Sequence, residues 1–549
     1  MKKKHRIDHR FKTEYEKWCL LPDLTEEERK LLVSMTEEEQ QECFYRQVPF
    51  GTAGMRGKVG LGSNRINRYT IRLAAWGMAQ ILGAGKKVAI AYDTRLDSKN
   101  FAEEAAKVLA EAGLKVLIFD RYSPVPLLSY TVRELHCDGG IVITASHNTK
   151  AYNGFKTYEA SGAQMGPNKT EEIFRWMLKK ADPLDVPHCD DLAQDNIEWI
   201  GEEIAEKFTS AAADCSKLND SSAKKDLSVV YTPLFGSGRD FVLDALEKDG
   251  FSQVHLVKKQ AGFDGKFPGL RKPNPEEPEV FRIAEREALR EHADLMIATD
   301  PDSDRIGAGV ICDSKAFFFT GNQIGDFLSR QGSVKAKIMV TTVVTGDLGS
   351  RIVTSRGATV IHTLTGSKFV CEEMNHMEAG EFLLGYEESH GYIGGMHIRD
   401  KDGVLAAMLL CETAAWHKTQ GKTLLDALED LYQEYGYYID EQDSFVFEGA
   451  KGAKEMQKIM ARLRSRRGSV FAPLGKPDKI LDYEKGVDEL PRSNVLKFFF
   501  PNGSWVAVRP SGTEPKIKFY YCIRGKDQRQ AQDLYEAVQT SVEEFLRTF

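Results

Sequence analysis

The chain has 549 residues, of which 42% are hydrophobic and 28% charged, a composition typical of soluble globular proteins. At about 150 residues per domain this length predicts three to four domains. The formal charge of −7 argues against a nucleic-acid partner, because such proteins need a basic face for phosphates. No run approaches the roughly 18 apolar residues of a membrane span, and the basic N-terminus lacks the apolar core of a secretory signal.

The nine cysteines are scattered, odd in number and without a CxxC pair. This pattern predicts reduced thiols, and therefore a cytoplasmic location, in place of a disulfide or zinc framework.

Short apolar runs alternate with helical patterns along most of the chain. The first predicted strands are "KVAIAYDTR", "LKVLIFD" and "GGIVITASH", with helices such as "NFAEEAAKVLAEAGL" between them. A second set comprises "LSVVYTPL", "SQVHLVK" and "ADLMIATDPD", and a third comprises "AKIMVTTVVTG", "ATVIHTLTG" and "EFLLGYEES". This alternation predicts repeated βαβ units, with ligand loops at the carboxyl ends of the strands.

The last hundred residues follow a different pattern. The stretch "VLKFFFPNGSWVAVRPSGTEPKIKFYYCIRG" predicts antiparallel hairpins, and the helix "QAQDLYEAVQTSVEEFLRTF" follows it. Linkers are predicted near 180–225, at "CDSKAFFFTGNQ" and at "EYGYYIDEQDS". We therefore expect four domains, at 1–205, 206–313, 314–440 and 441–549.

The first candidate for chemistry is Ser146, in "IVITASHNTKAYNGFK". An apolar run ends at this serine, and Lys156 lies ten residues further on. Most serines at strand ends only form turns, so a nucleophilic role needs support from elsewhere in the chain.

A metal site is predicted at "ATDPDSDRIG", where Asp300, Asp302 and Asp304 follow an apolar strand. Oxygen-only ligands favour Mg²⁺ or Ca²⁺. An EF-hand is excluded, because Arg305 occupies the position of its invariant glycine and Ile311 that of its glutamate. The alternative is an acidic surface turn. Arg305 would neutralise a carboxylate or hold a substrate phosphate.

Two glycine-containing loops are candidates for binding phosphate. In "RPSGTEPK", Arg509 supplies charge-assisted bonds and the hydroxyls of Ser511 and Thr513 supply further donors, although an ordinary hairpin turn is the alternative. The second loop, "FGTAGMRGKVG", is weaker evidence alone. The chain contains neither a P-loop nor a dinucleotide-binding glycine pattern.

Sugar-binding groups are predicted in the third set of strands. Glu387 and Ser389 alternate in "GYEESHGY" and would face one cleft, where a solvated acidic loop is the alternative. Lys401 in "RDKDG" could meet a phosphate, and "TLTGSK" offers Thr365 and Lys368.

Together these stretches resemble the α-D-phosphohexomutase family. "FGTAGMRG", "TASHN", "YTPLFGSG", "PNPEEPE", "DPDSDR", "TGNQIG", "GYEESHG" and "RPSGTEPK" occur in the family's order and cover nearly the whole chain. The chain length and the residues of these motifs are most similar to those of the phosphoglucomutase branch, which also contains phosphopentomutases. The resemblance implies an α/β fold of three related mixed-sheet domains and a smaller C-terminal α+β domain around a central cleft.

The resemblance also implies the reaction, which interconverts glucose 1-phosphate and glucose 6-phosphate through a phosphoserine and a 1,6-bisphosphate. Phosphomannomutase and phosphopentomutase activities are the alternatives. Mg²⁺ would be the cofactor, and glucose 1,6-bisphosphate the activator. The partners would be small sugar phosphates, with no nucleic acid and no membrane, and the sequence leaves monomer and dimer open.

The family roles transfer to matching positions of this chain. Ser146 would carry the phosphate and would hold Mg²⁺ with the three aspartates, while Arg56 and Lys156 match basic positions beside it. Glu387 and Ser389 would hold sugar hydroxyls, and the phosphate that is not transferred would be gripped by Arg509, Ser511, Gly512 and Thr513. The predicted substrate-binding set is completed by the candidates named above from the residues alone: Arg305, Thr365, Lys368 and Lys401.

The proton acceptor is less defined than the other roles. Lys156 is favoured, because a lysine crowded by cations has a lowered pKa. His147 is the alternative, but neighbouring side chains of an extended segment point to opposite faces. The chain departs from the family pattern at Thr149, where proline is common, and at His390, which therefore has no secure family role.

Two other functions compete with a mutase. A metal-dependent phosphatase would use the same groups but release inorganic phosphate. A non-catalytic sugar-phosphate-binding protein would carry no phosphate on Ser146.

Overall fold

The structure is a computed structural model that describes residues 10–51, 54–180, 182, 185–332, 335, 337–378, 380–447, 449–511 and 516–549. Its described strands form three mixed sheets and one antiparallel sheet. The predicted fold class is therefore confirmed.

The first unit is built on a seven-stranded sheet. Its strands are β1 (Phe50–Gly51), β2 (Gly54–Lys58), β3 (Lys87–Tyr92), β4 (Lys115–Phe119), β5 (Gly139–Ile143), β6 (Tyr152–Glu159) and β7 (Ile197–Ile200). Its helices are α1 (Arg10–Cys19), α2 (Glu26–Ser34), α3 (Glu37–Phe44), α4 (Arg68–Leu82), α5 (Ser98–Glu111), α6 (Val125–Glu134) and α7 (Pro167–Lys180). The strand order is β1-β2-β6-β5-β3-β4-β7.

The second unit has a five-stranded sheet in the order β12-β11-β10-β8-β9. Its strands are β8 (Ser228–Thr232), β9 (Gln253–Leu256), β10 (Leu295–Thr299), β11 (Ile306–Cys312) and β12 (Lys315–Phe319). Its helices are α8 (Glu202–Ala213), α9 (Ser221–Asp226), α10 (Arg239–Lys248) and α11 (Arg282–Glu291).

The third unit has a four-stranded sheet in the order β14-β13-β15-β16. Its strands are β13 (Ile338–Thr342), β14 (Thr359–Thr363), β15 (Phe382–Glu387) and β16 (Gly391–Ile393). Its helices are α12 (Gly321–Ser329), α13 (Leu348–Ser355), α14 (Ser367–Met374), α15 (Gly403–Lys418) and α16 (Leu424–Tyr435).

The three mixed sheets share one strand plan. In each, three parallel strands are followed by a fourth that returns antiparallel beside the third: β6 beside β5, β11 beside β10, and β16 beside β15. The loop between third and fourth strand carries Ser146 in the first unit, Asp300 to Asp304 in the second, and Ser389 in the third. The predicted repetition of architecture thus places three candidate loops at equivalent positions.

The C-terminal unit is an antiparallel sheet with helices, as predicted. Its strands are β17 (Tyr437–Val446), β18 (Lys479–Asp482), β19 (Leu496–Phe499), β20 (Trp505–Pro510) and β21 (Lys516–Gly525). Its helices are α17 (Gly449–Arg466) and α18 (Gln528–Leu546). The strand order is β17-β21-β20-β19-β18, and the unit has its own apolar core.

Helix α15 joins the second and third units. Nearly all of its side chains are buried, and it contacts α10, α12 and β10. A helix that is apolar on all sides has to be enclosed by other elements. The core around it continues into the first unit, so the loops that follow the strands are held by one packed body.

Helices α1 to α3 form a small apolar cluster against α4, with Trp18 and Phe44 in contact and Trp18 also in contact with Tyr69. Capping boxes at Thr25 and Thr36 begin α2 and α3. The sequence-based interpretation identified none of these three helices.

The three stretches predicted to contain linkers hold regular structure. The stretch near 180–225 contains β7 and α8. "CDSKAFFFTGNQ" contains the β11–β12 turn and β12, and "EYGYYIDEQDS" contains most of β17. Polar turn residues in these stretches belong to edge strands and hairpin turns. Of the predicted domain boundaries, 205/206 falls within α8, 313/314 within the β11–β12 turn and 440/441 within β17. We therefore propose boundaries that lie between elements, at 201/202, 319/320 and 436/437.

Candidate functional site

Ser146 is held in a left-handed backbone conformation, with φ of 51°. Its side chain is buried, and its backbone N–H donates to Thr144 Oγ1 over 2.8 Å. A non-glycine residue rarely adopts this conformation unless its surroundings impose it. The loop is therefore shaped to present the hydroxyl in one direction.

Arg95 supplies much of that constraint. Its buried guanidinium donates to the backbone carbonyls of four loop residues: Ser146, Asn148, Thr149 and Tyr152. Asp93 lies 3.3 Å from Arg95 Nε and also accepts a hydrogen bond of 2.6 Å from Thr144. Sequence reasoning missed both residues, although "AYDTR" follows a strand end in the same way as "ITASH".

The aspartate loop of the second unit meets Ser146 directly. Ser146 Oγ donates to Asp300 Oδ2 over 2.8 Å, across 154 residues of chain. Thr144 Oγ1 and Lys156 Nζ both reach Asp302 Oδ2, at 3.1 and 2.8 Å. The first and second units therefore form one site.

The three aspartates fit a cation. One oxygen from each of Asp300, Asp302 and Asp304 lies within 4.8 Å of the others, and all three residues are buried, which contradicts an exposed acidic turn. The Oδ1 atoms of Asp302 and Asp304 accept no hydrogen bond from any described residue. Burial and the two neighbouring carboxylates raise the pKa of Asp300 far above its usual value. A hard cation would satisfy these oxygens.

Two of the predictions about proton transfer are wrong. His147 Nδ1 lies 3.2 Å from Ser146 Oγ, because the left-handed serine breaks the alternation of an extended segment. The pKa of Lys156 is raised, not lowered: burial opposes the charge, but Asp302 and Asp304 outweigh it. Burial and the cations Arg305 and Arg56 hold the pKa of His147 well below its usual value.

The remaining cations surround the same loop. Arg56 is exposed and reaches Asn148 Oδ1 at 3.5 Å. Arg305 pairs with Glu276 and lies 3.8 Å from Asp304 Oδ1. Lys401 Nζ lies 3.2 Å from Asp304 Oδ2, so this lysine of the third unit reaches the aspartate loop.

The sugar candidates lie together in the third unit. Glu387 is buried at the end of β15, and its Oε1 accepts from Gly366 N over 2.8 Å. Thr365 Oγ1 is buried and has no hydrogen-bond partner among the described residues. Ser389 is half-buried, and Lys368 lies 5.1 Å from the Phe369 ring centroid, with a pKa lowered by burial.

The described part of the phosphate loop faces this region. Arg509 and Ser511 are half-buried at the end of β20, whereas the predicted Gly512 and Thr513 lie outside the described residues. Burial lowers the pKa of Lys518, and Glu388 opposes that shift. Burial likewise raises the pKa of Glu388, and Lys518 and Arg509 oppose it. The C-terminal unit thus adds cations beside the sugar loop.

Four sequence profiles match the chain in order. They describe phosphoglucomutase/phosphomannomutase α/β/α domains I, II and III and the C-terminal domain, at residues 47–183, 206–312, 321–435 and 445–540. A phosphoglucomutase from Staphylococcus haemolyticus is 36% identical over 528 residues, 92% of this chain and 96% of that protein. The chain belongs to the phosphoglucomutase/phosphomannomutase family. The predicted family is therefore confirmed.

Further members of the family are similar along their length. A phosphoglucomutase from Staphylococcus aureus strain MRSA252 is 35% identical, over 89% of this chain and 92% of its own. The open form of Paramecium parafusin, a phosphoglucomutase, superposes with a TM-score of 0.68 at 19% identity, covering 91% of this chain and 95% of its own. At that identity the structural likeness concerns the fold alone.

In this phosphohexomutase no helix of the described residues has both the length and the apolar character needed to cross a bilayer.

Proposed function

We propose that this chain interconverts glucose 1-phosphate and glucose 6-phosphate through a phosphate carried on Ser146. The observation that carries the proposal is the hydrogen bond of 2.8 Å between Ser146 Oγ and Asp300 Oδ2, made by a serine whose backbone is held in the left-handed conformation. The curated relatives support glucose as the sugar, because they are named phosphoglucomutase.

The proposed cycle has two phosphoryl transfers. In the first, the bond between phosphorus and Ser146 Oγ breaks and a bond forms to the free hydroxyl oxygen of the sugar monophosphate. The hydroxyl proton passes to the proton acceptor, and Ser146 Oγ takes up a proton. The resulting 1,6-bisphosphate turns over in the cleft. Ser146 Oγ then gives up its proton and forms a bond to the other phosphorus, whose bond to the sugar oxygen breaks, and that sugar oxygen takes up a proton. Such transfers depend mostly on alignment and on charge stabilisation.

Asp300, Asp302 and Asp304 would hold Mg²⁺ together with the serine phosphate. When bound, the ion would neutralise charge on the transferring group. Lys156 and Arg56 would add positive charge beside the phosphate. We favour His147 over Lys156 as proton acceptor, because its Nδ1 faces the serine oxygen at 3.2 Å while Lys156 Nζ is engaged by Asp302.

The later loops would bind the rest of the substrate. We assign Glu387 and Ser389 to sugar hydroxyls, and Arg509, Ser511, Gly512 and Thr513 to the distal phosphate. Arg305, Thr365, Lys368 and Lys401 would complete the charge and hydrogen bonding of the cleft. Glucose 1,6-bisphosphate would act as activator by restoring phosphate to an unmodified Ser146. We further propose a cytoplasmic location, supported by nine cysteines that no disulfide joins.

The test compares turnover of the 1-phosphates of glucose, mannose and ribose with Mg²⁺ and bisphosphate. We expect glucose 1-phosphate to be converted fastest. Ser146→Gly should abolish conversion, since glycine keeps the left-handed backbone without strain. Ser34→Ala, at an exposed serine of α2, is the matched control.

Two results would contradict the proposal. Stoichiometric release of inorganic phosphate would indicate a phosphatase. Full isomerase activity in Ser146→Gly would remove the serine from the reaction.

A further inference from the structure

A second cluster of reactive groups lies outside the aspartate loop, between the second and third units. Cys215 follows α8, and its Sγ is 3.8 Å from Nδ1 of His397, in the segment between β16 and α15. The residue is half-buried, which leaves part of it accessible to solvent, and its Sγ also donates to the Ala211 carbonyl at 3.4 Å.

Asp402 orients the histidine. Its Oδ2 lies 3.3 Å from His397 Nε2, while its Oδ1 caps α15 by accepting from the N–H groups of Val404 and Leu405. The carboxylate is therefore fixed by the helix and fixes the ring in turn. The sequence of thiol, imidazole and buried carboxylate is the arrangement that activates nucleophiles.

The surroundings favour a charged imidazole. Phe208 of α8 and Tyr130 of α6 face the ring, with centroids at 6.1 and 6.4 Å. Burial opposes the charge, but the contacts with Asp402 and Cys215 raise the pKa of His397 to about 9. An imidazolium beside a thiol stabilises the thiolate, which is the nucleophilic form.

The other eight cysteines lack this arrangement. Five are buried (Cys43, Cys137, Cys371, Cys411 and Cys522), and burial raises the pKa of each. Burial and Glu111 raise the pKa of Cys189. Cys19 and Cys312 are half-buried, and among the described residues neither has an imidazole within hydrogen-bond distance. They are therefore suitable internal references.

We propose that Cys215, activated by His397 and Asp402, is a modification site for small electrophiles, including hydroperoxides. With hydrogen peroxide, a sulfur–oxygen bond forms and the oxygen–oxygen bond breaks. The sulfur is oxidised to a sulfenic acid, the peroxide is reduced, and the departing hydroxide takes the proton of His397 to leave as water.

The packing restricts the site to small reagents and links it to the third unit. A methyl group at Gly395 would lie 2.8 Å from the sulfur and 2.6 Å from His397 Nδ1, so backbone closes that side. The same segment continues to Lys401, which contacts the aspartate loop.

The test labels the native protein with iodoacetamide at pH 6.5 and follows all nine cysteines by peptide mass spectrometry. We expect Cys215 to react about tenfold faster than Cys19 and Cys312, because the His397 imidazole beside it stabilises the attacking sulfur. In urea the nine rates should become similar. A parallel arm with hydrogen peroxide and a sulfenic-acid probe should modify Cys215 first.

His397→Gln should lower the Cys215 rate to that of Cys312, with thermal unfolding confirming that the variant is folded. Cys312→Ser should leave the Cys215 rate unchanged. If Cys215 reacts no faster than Cys312 in the native wild-type protein, the proposal is wrong. An unchanged rate in folded His397→Gln would also overturn it.

Discussion

The two halves of the cleft are built differently. Around Ser146 and the aspartate loop, buried groups already contact one another, as in the pairs Ser146–Asp300 and Lys156–Asp302 at 2.8 Å each. In the sugar region, Thr365 Oγ1 is buried without a partner among the described residues, and Ser389 is half-buried. The first half holds reacting groups in place. The second keeps polar groups for a ligand to complete.

Among changes that leave Ser146 in place, the largest effect should come from Asp300→Asn. The change removes one ligand of the proposed cation, and we expect turnover to fall by roughly 10³-fold, as for loss of a well-placed charge stabiliser. Without metal, the melting temperature should rise, because burial and repulsion disfavour this carboxylate. Steady-state kinetics and thermal melts in EDTA measure both. Asp313→Asn, at an exposed turn, is the control. A melting temperature without metal that falls together with turnover would contradict this prediction.

Lys156→Met should reduce activity and stability together. It removes the cation that Asp302 and Asp304 face, so we expect turnover to fall by roughly 10²-fold and the free energy of unfolding by about 3 kcal/mol. Kinetics and denaturant titration test this. Lys150→Met, an exposed lysine nearby, should change neither. An unchanged free energy of unfolding in Lys156→Met would show that the ion pairs of Lys156 with the two aspartates do not stabilise the fold.

Glu387→Gln tests the sugar region of the cleft. The amide retains an oxygen that can accept from Gly366 N but loses the charge. We therefore expect KM for glucose 1-phosphate to rise by roughly tenfold, with a smaller change in kcat, as for loss of one hydrogen bond to a sugar hydroxyl. Glu378→Gln on the exposed surface is the control. A fall in kcat alone would place Glu387 with the reacting groups.

The smallest effect concerns pH at the junction of the third and C-terminal units. Burial and the carboxylates of Asp347 and Glu441 raise the pKa of Asp440 to about 7. Because this value lies above the ordinary 3.8, the folded protein binds the proton more tightly, and the contribution to stability falls as pH rises from about 4 to 7.

Asp440→Asn should remove this loss. Its melting temperature at pH 8 should exceed the wild-type value by roughly 3 °C, and the difference should shrink towards pH 4. Asp443→Asn on the same strand is the control. A constant difference across this range would count against the titration.

Local sequence predicted the parallel strands, the hairpins and the candidate loops, because apolar runs ending in polar residues report strand ends directly. The left-handed backbone of Ser146 was not predictable, since it depends on Arg95 and Asp93 from another strand end. The pKa of Lys156 is raised, not lowered as expected, for the same reason: Asp302 and Asp304 are distant in the sequence but close in the fold. The strands within the predicted linkers were not predicted, because hairpin and linker sequences are both polar and rich in turn residues.

The central claim is that Ser146 carries the transferred phosphate. Phosphopeptide mapping after brief incubation with glucose 1-phosphate labelled at phosphorus tests it directly, with Ser146→Gly as the blank. We predict label on Ser146 alone, lost when unlabelled glucose 1-phosphate is added and recovered in glucose 6-phosphate. Turnover with no label on Ser146, or label released as inorganic phosphate, would contradict the account.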